Sequence, residues 1–177
     1  MYYVIQVKTG QEEKTIDAIR KQFDDIEDFD VFAPFRKTLR KYKGEMRECL
    51  ERCFPGYVFV ETNDPKEVFF RIYRIPEFTK MLGREGLTYN FVPLNKDESR
   101  MIDILYSSNS NRITEISNIE VKEGQIIRVV DGPLAGLVTS IKRVNLHKRT
   151  VTVEIPFCGR MVEAKVSINI VTDVINK

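Results

Sequence analysis

The chain reads as two structural classes in series: an α+β domain, in which an antiparallel sheet carries flanking helices, and then an all-β small barrel. Three observations predict this. Strand-like and helix-like periodicities alternate over residues 1–106. A polar run, "YSSNSNRITEISN" at residues 106–118, lacks apolar periodicity and reads as a linker over 107–118. From residue 119 to 177, short alternating segments then follow one another between turn signals.

Each element has a local cause. "YYVIQV" is β-branched and aromatic, as a strand requires, and Thr9-Gly10-Gln11-Glu12 has the spacing of a capping box that opens a helix. Ile16, Ile19 and Phe23 form that helix's apolar stripe. "FDVFAPF" is a strand interrupted by Pro34, whose nitrogen cannot donate to a ladder. Residues 36–47, "RKTLRKYKGEMR", place a basic hairpin or loop around the turn signal Lys43-Gly44-Glu45. "FPGYVFVE" supplies a turn and an apolar strand, Pro65 opens a short helix, and "EFTKML" is another strand. Asn95 to Glu98 is a second capping signal, opening a helix with Met101 and Leu105 on one face. In the C-terminal region "GQIIRVV", "LVTSIKRV", "TVTVEI", "MVEAKV" and "NIVTDV" read as strands, with breaks at Asp131-Gly132-Pro133, Asn145–Arg149, Pro156–Gly159 and Ser167. Val151, Val153 and Ile155 should face inward, leaving Thr150, Thr152 and Glu154 to solvent.

Composition narrows the function classes. Of the 177 residues 42% are hydrophobic and 31% charged, and no apolar run approaches the ~20 residues that span a bilayer. The first residues lack the basic start and long apolar core of a signal peptide, so the expectation is a cytoplasmic protein without membrane association. Cys49, Cys53 and Cys158, with the single histidine, His147, make a poor zinc-ligand set. Pairing His147 with Cys158 as base and nucleophile lacks a third orienting residue and an oxyanion loop, and no phosphate-binding loop or paired-carboxylate motif occurs. The expectation is no enzyme, no metal and no cofactor.

The small net charge of +2 hides an asymmetry: residues 122–177 hold nine Lys/Arg against five Asp/Glu. Its focus is "RVNLHKRTVTVEI", where Lys142, Arg143, His147, Lys148 and Arg149 gather around one turn ahead of the cleanest strand. Such a turn can be a solvated surface, or it can offer donors to phosphates, with Arg and His able to stack on unpaired bases.

The chain resembles the NusG family of transcription elongation factors over nearly its whole length. The resemblance rests on "YYVIQVKTGQE", with Tyr2 where a tryptophan is usual, on "CFPGYVFVE", and on "GQIIRVVDGPLAGL", which is similar to the KOW motif. It implies an N-terminal NGN domain that binds the clamp of multisubunit RNA polymerase and discourages pausing. Phe54, Tyr57 and Phe59 would form an apolar depression for a polymerase helix, with Leu82 and Phe91 at its rim; the alternative for each aromatic is a place in the core. Arg36, Lys37, Arg40, Lys41 and Lys43 lie where the family places a hairpin close to nucleic acid, such as upstream or non-template DNA, and a solvated loop is the alternative. "NLHKRTVTVEIPFCGR" is also similar to the LoaP branch of specialised antitermination factors. That likeness implies a KOW barrel holding a nascent RNA hairpin through Lys142, Arg143, His147, Lys148, Arg149 and Arg160, in a monomer without cofactors. Thr139 departs from the glycine usual in KOW motifs. Two other readings stay open: a general NusG factor whose barrel meets a ribosomal protein or a termination factor, and a ribosome-associated KOW protein.

Overall fold

A computed structural model describes residues 1–23, 25, 28–75, 80–81, 93–106 and 112–174. In chain order the elements are β1 (Tyr2–Gln6), α1 (Glu12–Arg20), β2 (Phe29–Phe32), β3 (Phe35–Tyr42), β4 (Glu45–Arg52), β5 (Tyr57–Thr62), α2 (Pro65–Ile72), β6 (Lys80–Met81), α3 (Lys96–Tyr106), β7 (Ile113–Thr114), β8 (Ser117–Lys122), β9 (Gln125–Asp131), two short 3-10 turns (Pro133–Gly136 and Val138–Ser140), β10 (Ile141–Asn145), β11 (Thr150–Phe157) and β12 (Arg160–Val174). They form two compact units, one of residues 1–34, 54–99 and 156–161, the other of residues 35–53, 100–155 and 162–177. The predicted α+β N-terminal region and strand-rich C-terminal region are both present.

In the first unit the sheet runs β2-β5-β1-β6 and is antiparallel throughout. Its alternation sends Tyr3, Ile5, Val58 and Val60 to one face, where they bury the stripe Ile16, Ile19 and Phe23 together with Val68 and Ile72 of α2. Pro65 sits in the first turn of α2 and Asp64 caps it, accepting from the Glu67 amide at 3.1 Å. The capping box at Asn95 is complete: Asn95 Oδ1 accepts from the Glu98 amide at 2.9 Å, and Glu98 Oε2 accepts in return from the Asn95 amide at 2.8 Å. The first one is not. Gln11 is the N-cap and makes no side-chain cap, while the buried Glu12 carboxylate accepts from the amides of Gly10 at 2.8 Å and Gly56 at 2.7 Å. Glu12 therefore ties the helix start to the turn before β5. That turn needs glycine at 56: φ is +84° there, and a Cβ would lie 3.1 Å from Thr9 Oγ1 and 3.2 Å from the Val7 carbonyl.

The second unit holds a three-stranded sheet, β4-β3-β7, in which β3 and β4 form a long hairpin closed by Lys43-Gly44 with φ of 49° and 92°. Both central residues in the left-handed region are the signature of a tight hairpin turn. The C-terminal sheet has the order β10-β11-β12-β8-β9, with β12 parallel to β8. Val151, Val153 and Ile155 are buried, as alternation requires, but Thr152, expected to face solvent, is buried too, set across the ladder from Arg143 of β10. "MVEAKV" and "NIVTDV" are not two strands but one of 15 residues, continuous through Ser167. Ser167 is buried and its hydroxyl accepts from Arg36, so a polar residue that looked like a break is satisfied inside the sheet. The remaining barrel strand is β8, which takes up Ser117 and Asn118 from the end of the polar run. Among the described residues no helix is long and apolar enough to cross a membrane.

Candidate nucleic-acid and protein contact sites

The second face of the first unit's sheet is aromatic. Phe59 projects opposite to Val58 and Val60, and its ring lies 5.5 Å from Phe54 and 5.6 Å from Phe32, measured between centroids. Phe157 packs into this group edge-on to Phe59 at 5.6 Å, 5.3 Å from Phe54 and 6.3 Å from Tyr57. Phe54 and Phe59 are consequently buried and Tyr57 half-buried. Two of the aromatic site residues are thus covered by a ring from the 156–161 tip, which no local sequence signal identified. Leu82 and Phe91 lie outside the described residues.

The cationic turn is built rigidly. Asn145 Oδ1 accepts from the Lys148 amide at 2.9 Å, the Arg149 amide donates to the Leu146 carbonyl at 3.1 Å, and the Arg149 carbonyl accepts from Ile168 at 3.0 Å. Arg149 adopts φ of 51°, a conformation glycine would hold without strain, and yet a long cation stands there. Of its neighbours, Lys142 and Arg143 both face Glu163, Arg143 at 3.4 Å. Lys142 is held by Glu154 at 2.5 Å and Glu163 at 3.1 Å, and the hydrogen bond to Glu154 raises its pKa above the usual lysine value. Arg143, His147, Lys148 and Arg149 line a cleft of about 800 Å³. Arg160 is exposed at the tip 156–161, in the other unit.

Arg36, Arg40 and Lys41 of the β3–β4 hairpin line the same cleft. Lys37 pairs instead with Glu115 at 2.8 Å, and Lys43 lies 5.6 Å from the Tyr42 ring centroid. Glu51 was not singled out by the sequence, though it stands directly across the ladder from Arg36 and so on the same face. Its carboxylate accepts from Arg36 and Arg40, and these contacts hold its pKa below the usual carboxylate value against the opposing effect of its partial burial. A second, apolar cleft of about 360 Å³ is lined by Ile126, Val129, Val138, Ile141 and Val144.

Cys53 is fully buried, with Thr114 donating to its sulfur at 3.8 Å, and burial pushes its thiol up to about 11, which keeps it neutral and non-nucleophilic near neutral pH. No group of His, Cys, Asp and Glu among the described residues could hold a metal ion.

Comparison with known proteins agrees with this architecture. The family described as "Transcription termination factor nusG" matches residues 1–103. The transcription termination/antitermination protein NusG of Lactococcus lactis is 28% identical over 98% of the chain and 92% of its own length, and that of Thermus thermophilus 26% identical over 90% of each. A solved structure described as "Domain interaction in Thermotoga maritima NusG" superposes with a TM-score of 0.52 at 21% identity, covering 94% of this chain and 92% of that one. The chain belongs to the NusG family and is a transcription termination/antitermination factor.

Proposed function

We propose that this factor is a specialised antiterminator of the LoaP type: residues 1–106 dock on the clamp of RNA polymerase, residues 119–177 hold a hairpin in the nascent RNA, and the two engagements together suppress pausing and termination. The observation that carries the RNA half is the turn of β10 and β11. Lys148 and Arg149 have no carboxylate partner among the described residues, they line a cleft, and the backbone that presents them is fixed by hydrogen bonds. Preorganised, unneutralised cations are what phosphate recognition needs. Tethering to polymerase raises the effective concentration of RNA at this cleft, so modest affinity selects a transcript. The test is binding of the full-length chain to the leader hairpin of its own operon and to a scrambled hairpin, at two salt concentrations. Hairpin-selective binding supports the reading; equal binding that vanishes with salt removes it.

For polymerase, the aromatic group Phe54, Tyr57 and Phe59 is the proposed dock, with Leu82 and Phe91 as rim. Docking there requires Phe157 to withdraw, because its ring covers Phe54 and Phe59. Tyr57→Ala should lower polymerase association by roughly tenfold, the scale of a moderate hot spot, and leave RNA affinity unchanged. Phe157→Ala should raise polymerase association, since the cover is lost while the dock remains. Both are read by co-sedimentation with purified core polymerase; a Phe157→Ala chain that associates less than the wild type removes the dock from this face.

The apolar cleft at Val129, Val138 and Val144 favours a second reading, a general NusG factor whose barrel meets a protein such as a ribosomal protein or a termination factor. Polymerase association without RNA affinity is its signature.

A further inference from the structure

The hairpin and the turn look like separate contacts in the sequence, the first for DNA and the second for RNA, but they line one cleft. Arg36, Arg40 and Lys41 enter it from the hairpin, Arg143 from β10, and Lys148 and Arg149 from the turn; Lys165 of β12 also lines it, and Glu51 is its single carboxylate among the described residues. A cleft so lopsided in charge concentrates anions. Its floor is built. Arg36 is 4% exposed, donates from Nη1 to Ser167 Oγ at 2.6 Å and from Nη2 to Glu51, and its buried Nε–H has no acceptor among the described residues. Arg40 reaches the same carboxylate from Nε at 2.8 Å. Two guanidinium forks therefore converge on one oxyanion group, the arrangement with which paired arginines grip a phosphate.

The size of the cleft decides what fits. At about 800 Å³ it lies within the ~300–1,000 Å³ range of small-ligand sites. That is room for a few splayed-out nucleotides. His147 on the rim adds a ring on which an unpaired base can stack.

The geometry points to one composite seat for an unpaired RNA segment, in which the β3–β4 hairpin reads RNA alongside the β10–β11 turn, Arg36 and Arg40 hold a phosphate over Glu51, and Glu51 sets the strength of that hold. The assignment rests on the RNA-binding reading above and extends it to a hairpin otherwise assigned to DNA.

The experiment uses the full-length chain, the leader stem-loop RNA, and a matched DNA duplex, each titrated at several salt concentrations. Three variants are compared with wild type: Arg40→Ala/Lys41→Ala on the exposed part of the hairpin, Lys148→Ala/Arg149→Ala on the turn, and Glu51→Gln, whose amide oxygen still accepts from Arg36. If the seat is composite, the hairpin pair lowers RNA affinity about tenfold and flattens the log–log salt slope by roughly 0.7 per lost phosphate contact. Glu51→Gln then tightens RNA several-fold. Circular dichroism unchanged in the hairpin pair assigns its loss to contacts. RNA binding lost in the turn variant but intact in the hairpin variant overturns the composite seat and leaves the turn reading standing. A hairpin variant that loses only DNA returns the hairpin to DNA. Wild type without hairpin-selective RNA binding overturns both.

Discussion

Lys148→Ala with Arg149→Ala is expected to lower affinity for the leader hairpin by about 10- to 100-fold and to flatten its salt dependence by about 1.4 in log–log slope, roughly 0.7 for each phosphate contact removed from a single strand. The fold should survive. Lys148 is exposed, and the bonds that shape the turn come from Asn145 Oδ1 and from the backbone of Leu146, Arg149 and Ile168, none of which the substitutions delete. Arg149→Gly separates contact from structure more sharply. Arg149 sits at φ of 51°, where a non-glycine residue costs about 1 kcal/mol, so glycine removes the charge and relieves the backbone together. RNA binding should fall while the melting temperature holds or rises. A turn retained only for its shape would give a glycine variant with unchanged RNA affinity.

Gly132→Ala should destabilise the second unit by about 3–5 kcal/mol, the sum of backbone strain and a hard clash. Gly132 has φ of 88° and ψ of −179°, a region essentially restricted to glycine. A Cβ there would lie 2.7 Å from the Cα of Ser117 and 2.8 Å from its Oγ. Neither atom can give way: Ser117 is buried in β8, and its hydroxyl accepts from the Leu134 amide at 3.0 Å, seating the first 3-10 turn. The "DGPLAGL" stretch of the KOW motif thus needs its glycine for close approach of two backbones. Chemical denaturation of the variant measures the loss. A change below about 1 kcal/mol, within the range of an ordinary surface substitution, would show that β8 and the turn can part at little cost.

Local causes were legible in the sequence wherever the partner is close along the chain. Asn95 and Glu98 cap each other three residues apart, Pro65 starts α2, and the alternation of Val151, Val153 and Ile155 sets the buried face of β11. The same kind of pattern misled at Thr9-Gly10-Gln11-Glu12, because a carboxylate suited to a nearby cap can equally accept from a distant amide, and Gly56 is 44 positions away. Ser167 looked like a strand break for lack of any hint that Arg36, 131 residues earlier, would satisfy it. The sites divide in the same way. Charge clustering found Arg143 in β10 and His147, Lys148 and Arg149 on the turn after it, and found the hairpin cations, but it could not tell that both sets line one cleft. Glu51 escaped because its role depends on hairpin register; pairing residues outward from the Lys43-Gly44 turn would have set it opposite Arg36. Phe157 escaped because it falls in the Pro156–Gly159 stretch that reads as a break, whereas β11 runs on to Phe157, and nothing nearby points to Phe54 or Phe59.

The central claim is that this factor lets polymerase read through terminators when the transcript carries the right hairpin. Transcription in vitro with purified polymerase, from a template with an intrinsic terminator downstream of the leader hairpin or of its scrambled counterpart, tests it most directly. The account predicts that adding the full-length chain raises readthrough several-fold on the hairpin template alone, and that Lys148→Ala/Arg149→Ala abolishes the gain. Equal readthrough on both templates, or none on either, would contradict it.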